Sequence, residues 1–264
     1  MPSLMSKGLV IRPVLLLLLI FGWSASPGRL TADLSEESAS AIALSGITAV
    51  SDSPSDQTLS PLLRSSGVSF NYHLPFGQTE AQVWGVHYAT EYKVLHAGFG
   101  SSWMNHPHYN YRDYYLNANL EHEGIVLGYT QHLVHESFST EDSYLRWLSD
   151  LGVSSNVGSY GAEVRWLRMA SLDAQWHFTA LYRFAPESAS AVSYVHQPHG
   201  DDSFRSCISL AASELLHFAA SWQSHPSRFG FGLRLNYGSL VLLYAIRTHQ
   251  ELNADHSLEV RFQW

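Results

Sequence analysis

The stretch His135-Glu136-Ser137 has a spacing that is typical of nucleophilic chemistry. A histidine two residues from a serine can accept the hydroxyl proton, so that the serine attacks an ester. The mechanism also needs an acid or amide that orients the imidazole, and the neighbouring sequence supplies none. The pattern described below further predicts that both residues lie in a loop. A lipid hydrolase that uses His135 and Ser137 is therefore kept only as an alternative, and we predict no catalytic residue.

Histidines could also form a metal site, because neutral imidazole is a ready metal ligand and titrates near neutral pH. The best local pairs are His106-x-His108 and His196-x-x-His199, the second with Asp201 nearby. The histidines in predicted loops are His106, His108, His135, His196, His199, His225 and His249. Short pairs of this kind are common by chance, and polar loop residues are the simpler interpretation. We predict no metal site.

A third set of candidates consists of charged residues that share the inward-facing register of the predicted strands. These are Arg146, Asp150, Glu163, Arg165, Arg183, Arg205, Arg234, Arg247, Glu259 and Arg261. Along an open pore they could select ions or substrates. In a narrow or plugged lumen they could instead form a structural ladder of arginine–carboxylate pairs, which offsets the cost of burying charge. The second interpretation is favoured, and both stay open here.

The elements that must position these residues are short alternating segments. In 228–237 the side chains of Phe229, Phe231 and Leu233 fall on one face, while Arg234 falls on the other. This period of two indicates half-buried strands, and about ten residues is the length of a strand that crosses a membrane. Counting such segments predicts fourteen strands, with twelve as the alternative. They lie at 67–75, 80–90, 91–101, 111–121, 124–134, 143–153, 159–168, 174–184, 189–196, 203–212, 213–223, 228–237, 238–248 and 254–264.

The connections between these strands are predicted to alternate in length. The longer ones include 102–110, 135–143, 196–202, 224–227 and 249–255, and the shorter ones read "EHEG", "ASE" and "YGS". Barrels of the bacterial outer membrane have long external loops and short periplasmic turns. The alternation therefore favours a barrel whose odd-numbered connections are external.

Composition supports the same class. Of the 264 residues only 14% are charged and 13% are aromatic, whereas soluble domains have about a quarter charged residues. A mean hydropathy of -0.08 excludes a polytopic helical membrane protein. A net charge of -8 argues against a nucleic-acid binder. A soluble β-sandwich would not explain the aromatic residues on nearly every apolar face. We predict an all-β, transmembrane, antiparallel up-and-down β-barrel.

No motif for a cofactor accompanies this pattern. The sequence has no Walker loop, dinucleotide fingerprint, nucleophile elbow or HExxH motif. The single cysteine, Cys207, provides neither a disulfide nor a zinc-ligand spacing. We predict no cofactor and a non-enzymatic protein.

The N-terminus reads as a targeting segment. Lys7 and Arg12 precede an apolar run from Val14 to Gly22, and the small-residue stretch "WSASPG" follows. A basic region, a short apolar region and a small-residue cleavage zone are typical of a signal peptide. We expect a signal peptide at 1–26, a periplasmic or plug segment at 27–66 and a barrel at 67–264. The expected location is the outer membrane of a diderm bacterium.

The last strand ends on an aromatic residue. In "HSLEVRFQW" the alternation places Leu258, Val260, Phe262 and Trp264 on the lipid face. This ending resembles the C-terminal signal that outer-membrane assembly machinery recognises. Lipids of the outer membrane and that machinery are therefore the expected partners, with no nucleic acid.

Residues 38–63 resemble the N-terminal motif of the FadL-like outer-membrane proteins, especially the PorV/PorQ branch associated with type IX secretion. The motif residues are Ala43, Leu44, Ser45, Gly46, Ala49, Asp52, Ser60, Pro61 and Leu63. Here Ser60 replaces the usual asparagine and Ser45 replaces a glycine. The stretches "YNYRDYYLNANLEHEGIVLGYTQHL" and "WLSDLGVSSNVGSYGAEVRWL" are also similar to strand pairs of that family.

The resemblance implies a fourteen-stranded barrel plugged by its N-terminal segment. It also implies one of two functions, uptake of small hydrophobic compounds or a role in type IX secretion. A small hydrophobic ligand or secretion-system components would then be partners. A purely structural barrel is the remaining alternative.

Overall fold

A computed structural model describes residues 38–58, 60–62, 65–139, 143–169, 171, 174–250 and 252–264. The expected signal peptide and Leu63 lie outside these residues. The described chain forms a closed barrel of fourteen antiparallel strands, in which each strand pairs with its neighbours in sequence and β1 pairs with β14. The predictions of an all-β up-and-down barrel and of fourteen strands are confirmed.

The fourteen strands follow the alternating segments of the sequence. They are β1 (Gly67–Leu74), β2 (Val83–Tyr92), β3 (Leu95–His106), β4 (Tyr109–His122), β5 (Ile125–Phe138), β6 (Tyr144–Val157), β7 (Tyr160–Leu167), β8 (Gln175–Ala185), β9 (Ser188–His196), β10 (Ser203–Ala211), β11 (Leu216–Gln223), β12 (Arg228–Tyr237), β13 (Leu240–Arg247) and β14 (Asp255–Gln263).

Strands β3 to β5 are longer than predicted, so two predicted loops are wrong. Residues 102–110 form the paired ends of β3 and β4, with Asn105 opposite Asn110. Residues 135–138 continue β5, where Glu136 is opposite Tyr144 of β6. Polar residues occupy both faces of these strand ends. The hydropathy alternation therefore stops there, although the backbone pairing continues.

The two ends of the barrel differ in their connections. At the turn end, five of the six connections have two residues: 93–94, 123–124, 158–159, 186–187 and 238–239; the sixth is 212–215. Positive φ angles at Lys93, Glu123, Gly158, Glu187 and Gly238 suit such tight hairpins. The loop end carries 75–82, 107–108, 139–143, 168–174, 197–202, 224–227 and 248–254. The predicted alternation of connection lengths therefore holds, with 107–108 as the exception.

The barrel wall is apolar outside and polar inside. On β14, Leu258 and Phe262 are 46% and 47% exposed, whereas Glu259 and Arg261 are at most 1% exposed. Successive side chains of a strand point to opposite faces, and the other strands repeat this division. Among the described residues, no helix is long and apolar enough to cross a membrane.

The interior contains the described residues 38–58 and 60–62, which we call the lumen segment. It begins with one short helix, α1 (Ala39–Ala43), and continues through 3-10 turns at Thr48–Val50 and Pro54–Thr58. Ser38 caps α1 by accepting a hydrogen bond from the amide of Ala41 at 2.9 Å. All residues of α1 are buried. The apolar core of the protein thus lies between this segment and the inner wall of β8 to β13.

Candidate functional site

The lumen segment packs closely against the barrel wall at positions where the strands have glycine. A Cβ atom at Gly230 would collide with the carbonyl oxygen of Ile42, and a Cβ atom at Gly128 would collide with that of Pro61. At Gly152 a Cβ atom would lie 2.7 Å from the side chain of Leu62. These glycines lie on three different strands. Because these positions have no side chain, the lumen segment can approach the wall closely there.

Charged hydrogen bonds fasten the middle of the segment to β12 and β14. The carboxylate of Asp52 accepts hydrogen bonds from Arg261 at 2.6 Å and from Arg234 at 2.8 and 2.9 Å. Arg261 also donates to Glu259 at 2.7 Å, and Ser53 donates to the same carboxylate. Burial opposes the ionisation of Asp52, but the charges of Arg261 and Arg234 hold its pKa well below the ordinary value. Asp52 is therefore ionised and paired at neutral pH.

A second carboxylate, Asp56, is buried within the lumen segment itself. Its described hydrogen-bond donors are the hydroxyls of Ser38, Ser40 and Ser51, with 2.7 Å to Ser40. Burial, together with the nearby charge of Glu259, raises the pKa of Asp56 to about 6. Asp56 therefore ties α1 to the following turn and is sensitive to pH near neutrality.

Two wall arginines donate to backbone carbonyls of the segment. Arg205 donates to Ser45 at 2.9 Å, and Arg165 donates to Gly46 at 3.3 Å. The hydroxyl of Ser45 also lies 2.8 Å from that of Ser221 on β11. These contacts hold the sharp bend after α1, where Ser45 and Gly46 both have positive φ angles.

Other predicted lumen charges are paired along the wall. Arg146 donates to Glu136 at 2.8 Å, and Arg247 lies 2.8 Å from Asp255. Arg165 lies 2.8 Å from Glu163. This pairing favours the structural interpretation of these charges over an open, charge-selective pore.

Two members of the predicted set lie in different surroundings. Asp150 accepts hydrogen bonds from His132 at 3.1 Å and from the backbone amide of Arg168 at 2.6 Å. Arg183 is exposed at the turn end and donates to Asn156 at 3.0 Å. Arg183 is thus a rim residue, whereas the remaining nine are buried or partly buried inside the barrel.

Sequence reasoning missed several partners of these charges. The predicted loops 135–143 and 249–255 contain Glu136 and Asp255, although Glu136 continues the inward register of β5. His132 lies between Asp113 and Asp150, at 2.9 and 3.1 Å. All of these side chains occupy alternate inward positions. A longer alternation window would have identified Glu136 and His132, whereas no sequence signal pointed to Asp56.

The motif residues of the lumen segment lie inside the barrel, except for Leu63, which is outside the described residues. Ala43, Leu44, Ser45 and Gly46 are buried, Ala49 and Asp52 are partly buried, and Ser60 and Pro61 are buried near the turn end. The terminal residues Leu258, Val260, Phe262 and Trp264 lie on the outer face. Phe262 pairs with Val68 of β1 and with Leu240 of β13. It therefore lies where the barrel closes.

The histidine–serine pair lies in β5 and not in a loop, which corrects the prediction. Glu136 between them is buried in the lumen, so His135 and Ser137 face outward near the loop end. Their cross-strand neighbours are Arg112 and Asn110 of β4. Neither of these two neighbours is a carboxylate. The geometry gives the hydrolase alternative no orienting acid.

The loop histidines do not converge. His196 lies 2.8 Å from Asp202, and His249 lies 2.8 Å from Asp255. His106 and His108 contact each other through their rings, 5.7 Å apart. Over the described part of the chain, no three histidine, cysteine or acidic side chains are grouped as a metal would require.

Among the described residues, the larger cavities between the lumen segment and the wall include two with polar linings. One of about 180 Å³ lies against β6 to β8, and one of about 420 Å³ lies against β8 to β12. Ala49, Ser51 and Arg183 border both cavities. A separate apolar cluster of Val83, Met104, Tyr111 and Val134 fills the lumen on the β2 to β5 side. Free space is therefore concentrated on the side of β6 to β12.

Comparisons with known proteins identify no family for this chain. No protein-family model matches the chain, and no curated protein matches it. Two triple mutants of the Rh. blastica porin resemble it, each with 8% sequence identity and TM-scores of 0.46 and 0.44. Both alignments cover 75% of this chain and 98% of the porin chain. At this level, nothing about substrates or partners follows.

Proposed function

We propose that this chain is a non-enzymatic barrel of the bacterial outer membrane. The outer face supports this location, because apolar and aromatic residues are exposed on it around the whole ring. Along β12, for example, Phe229, Phe231, Leu233 and Leu235 are 38% to 50% exposed. Soluble proteins rarely expose so large an apolar surface. A closed barrel also leaves no sheet edge in lipid.

Aromatic residues at both ends of the outer wall support the same location. Near the loop end, Trp166 stacks on Trp176 at 4.8 Å, and Tyr194 packs on Phe204 at 5.1 Å. Near the turn end, Tyr160 stacks on Tyr182 at 5.2 Å. Aromatic girdles at both membrane interfaces are typical of transmembrane barrels. In this proposal the loop end is external and the turn end is periplasmic.

The barrel is closed at rest and conducts small solutes when the lumen segment is displaced. The observation that carries this function is the pairing of Asp52 with Arg234 and Arg261. The Asp52 side chain is 47% exposed toward the adjoining cavity, so solvent already reaches the contact. Arg261, which is 1% exposed, keeps Glu259 as a second partner when Asp52 moves away. This contact can therefore open without unfolding the barrel.

The resemblance to FadL-like and PorV/PorQ proteins adds two narrower possibilities. Uptake of small hydrophobic compounds would require an apolar route, whereas the two larger cavities beside the segment are polar. A type IX secretion role would use the barrel as a membrane-anchored surface. The packed cluster at Val83, Met104, Tyr111 and Val134 favours such a surface role as the second candidate. In that case secretion components, and not a solute, are the partners.

A conductance measurement tests the transport function. The intact chain and a chain lacking residues 38–62 are refolded into planar lipid bilayers, after heat-modifiable gel mobility has confirmed that both barrels are folded. We expect low conductance from the intact chain and a stable open pore from the deletion. Equal, low conductance from two folded barrels would contradict the transport function and favour the surface role.

A further inference from the structure

One arginine of the barrel wall points outward, unlike the others. Arg112 is exposed on β4, and its neighbours Tyr111 and Asp113 are buried in the lumen. The other arginines of the described strands take the inward register: Arg146, Arg165, Arg183, Arg205, Arg228, Arg234, Arg247 and Arg261. On the outer face of a membrane barrel an arginine is strongly destabilising at the midplane and costs little near the interface. Because β4 begins at the loop end with Tyr109, Arg112 lies at the level of the external headgroups.

Three further hydrogen-bond donors lie beside Arg112 on the same outward face. His135 is directly opposite Arg112, and Ser137 is opposite Asn110, which is one outward position closer to the loop end. Directly opposite residues have Cβ atoms about 5 Å apart, and two residues along a strand span about 7 Å. Guanidinium, amide and hydroxyl groups all donate, and even a neutral imidazole keeps one N–H. We call these four side chains the donor patch.

The described protein supplies no anion to the donor patch. Within the described residues, none of its four side chains makes a hydrogen bond or an ion pair, and no carboxylate of β3 to β6 takes the outward register. The acids adjacent in sequence face the lumen, where Glu136 bonds to Arg146 and Asp113 bonds to His132. An arginine fork and neighbouring neutral donors match the oxygens of a phosphate group. The donor patch therefore has the chemistry of a phosphate site.

The surface next to the donor patch, on its turn-end side, is apolar and aromatic. Trp103 of β3 is opposite Arg112, and Tyr114 is opposite Leu133 at the next outward position. Tyr114 is 45% exposed, and Leu116, one position further, is 67% exposed. A free phosphate ion would contact only the donors. An amphiphile with an anionic headgroup and acyl chains would contact the donors and the apolar strip together.

We propose that the donor patch binds the phosphate group of an anionic lipid in the external leaflet. Arg112 supplies charge-assisted hydrogen bonds to the phosphate, and the imidazole, amide and hydroxyl groups bind its remaining oxygens. The acyl chains lie along Tyr114 and Leu116. The inference rests on the proposed function, which places the loop end outside the membrane, and it adds the class of lipid and the residues that hold it.

Native mass spectrometry of the full chain, refolded in detergent micelles, tests this site. Dimyristoyl phosphatidic acid and dimyristoyl glycerol, which differ by the phosphate group, are the probes at equal concentration. We expect phosphatidic acid to be retained and the diacylglycerol to be lost. Arg112→Gln should weaken that retention about tenfold, because charge-assisted hydrogen bonds are lost.

The Arg112→Gln variant should still fold, because Arg112 has no hydrogen-bond or ion-pair partner among the described residues. Lys93→Gln is the matched control, since Lys93 is an exposed cation at the turn end. The control should retain phosphatidic acid as the original chain does.

Two results would overturn the inference: equal retention of both lipids, or equal retention of phosphatidic acid by the original chain and Arg112→Gln. Inorganic phosphate at the same concentration should not displace the lipid, and displacement would contradict the lipid assignment. A chain that does not insert into phosphatidylcholine vesicles would refute the proposed location. Insertion without any preference for phosphatidic acid would refute the site alone.

Discussion

The carboxylate of Asp52 lies 2.6 Å from Nη1 of Arg261, and this contact joins residues 209 positions apart in the chain. It links the lumen segment to the strand that closes the barrel. Because Arg261 is also paired with Glu259, the arginine keeps a partner when Asp52 moves away. The ion pair between Asp52 and Arg261 can therefore break while the buried guanidinium of Arg261 stays paired with Glu259.

We expect Asp52→Asn to loosen the lumen segment while the barrel stays folded. The substitution removes the charge that pairs with Arg234 and Arg261. Since the side chain is half exposed, solvent screening limits the loss to about 1 kcal/mol. Protease cleavage within 38–62 should accelerate about fivefold, measured on refolded protein in detergent. Asp202→Asn, which removes a carboxylate in an exposed loop, should leave cleavage unchanged, and equal cleavage of all three proteins would refute this role of Asp52.

We expect Gly230→Ala and Gly128→Ala to displace the lumen segment, because each new methyl group would collide with a backbone carbonyl of the segment. Gly152→Ala is the matched comparison, since its methyl group would meet side-chain atoms of Leu62 and Pro61 and no backbone carbonyl. Bilayer conductance should rise for the first two variants and change little for the third. A rise for Gly152→Ala alone would contradict the proposed seating.

The seating of the lumen segment should weaken as pH rises from about 4 to about 7. Burial raises the pKa of Asp56 to about 6, so the seated state favours the protonated carboxyl. The protonated carboxyl of Asp56 therefore stabilises the seated segment fully at pH values below the ordinary aspartate pKa. This stabilisation is lost as pH rises through about 6. Asp52 has a lowered pKa, so its own stabilising contribution is lost only when pH falls below the ordinary aspartate pKa. Protease cleavage of the segment should therefore be faster at pH 7.5 than at pH 5.

Asp56→Asn provides the control for this pH effect. The amide cannot ionise, so the difference in cleavage between pH 5 and pH 7.5 should largely disappear. Glu259, Arg261 and Tyr115 also lie near this group, and all three remain in the variant. An undiminished pH effect in Asp56→Asn would assign the titration to another residue.

Deletion of Phe262–Trp264 should prevent assembly of the barrel. Phe262 pairs with both β1 and β13, and Trp264 packs on Tyr88 of β2 at 5.8 Å. Without these residues the pairing that closes the barrel is shortened. Cell fractionation should find the truncated chain in the periplasm, and Trp264→Phe should still reach the outer membrane. Normal membrane insertion of the truncation would contradict the role of this strand end.

Alternation of residue types predicted the wall well, because outward-facing and lumen-facing positions differ strongly in polarity. The strands around Phe229 and around Leu258 could be assigned from sequence with their correct faces. The ends of β4 and β5 could not, because His135, Glu136 and Ser137 are polar on both faces. At the end of β5, pairing with β6 stabilises the strand. The alternation of residue types within one segment does not reveal such pairing.

The contacts of the lumen segment could be predicted only in part. A resemblance placed residues 38–63 inside the barrel, yet it did not indicate that Asp52 meets Arg234 and Arg261. Such contacts depend on the depth and direction of the segment, which no periodicity encodes.

The most direct test of the account is a disulfide between the lumen segment and the wall. The hydroxyls of Ser45 and Ser221 are 2.8 Å apart, so Ser45→Cys with Ser221→Cys should form a disulfide, in a background where Cys207→Ser removes the native thiol. Ser45→Cys with Ser102→Cys is the control, because Ser102 lies on β3, nearly opposite β11 in the ring. The account predicts near-complete crosslinking of the first pair in folded barrels and none of the second. No crosslink in the first pair, or equal crosslinking in both, would contradict a segment seated in the lumen.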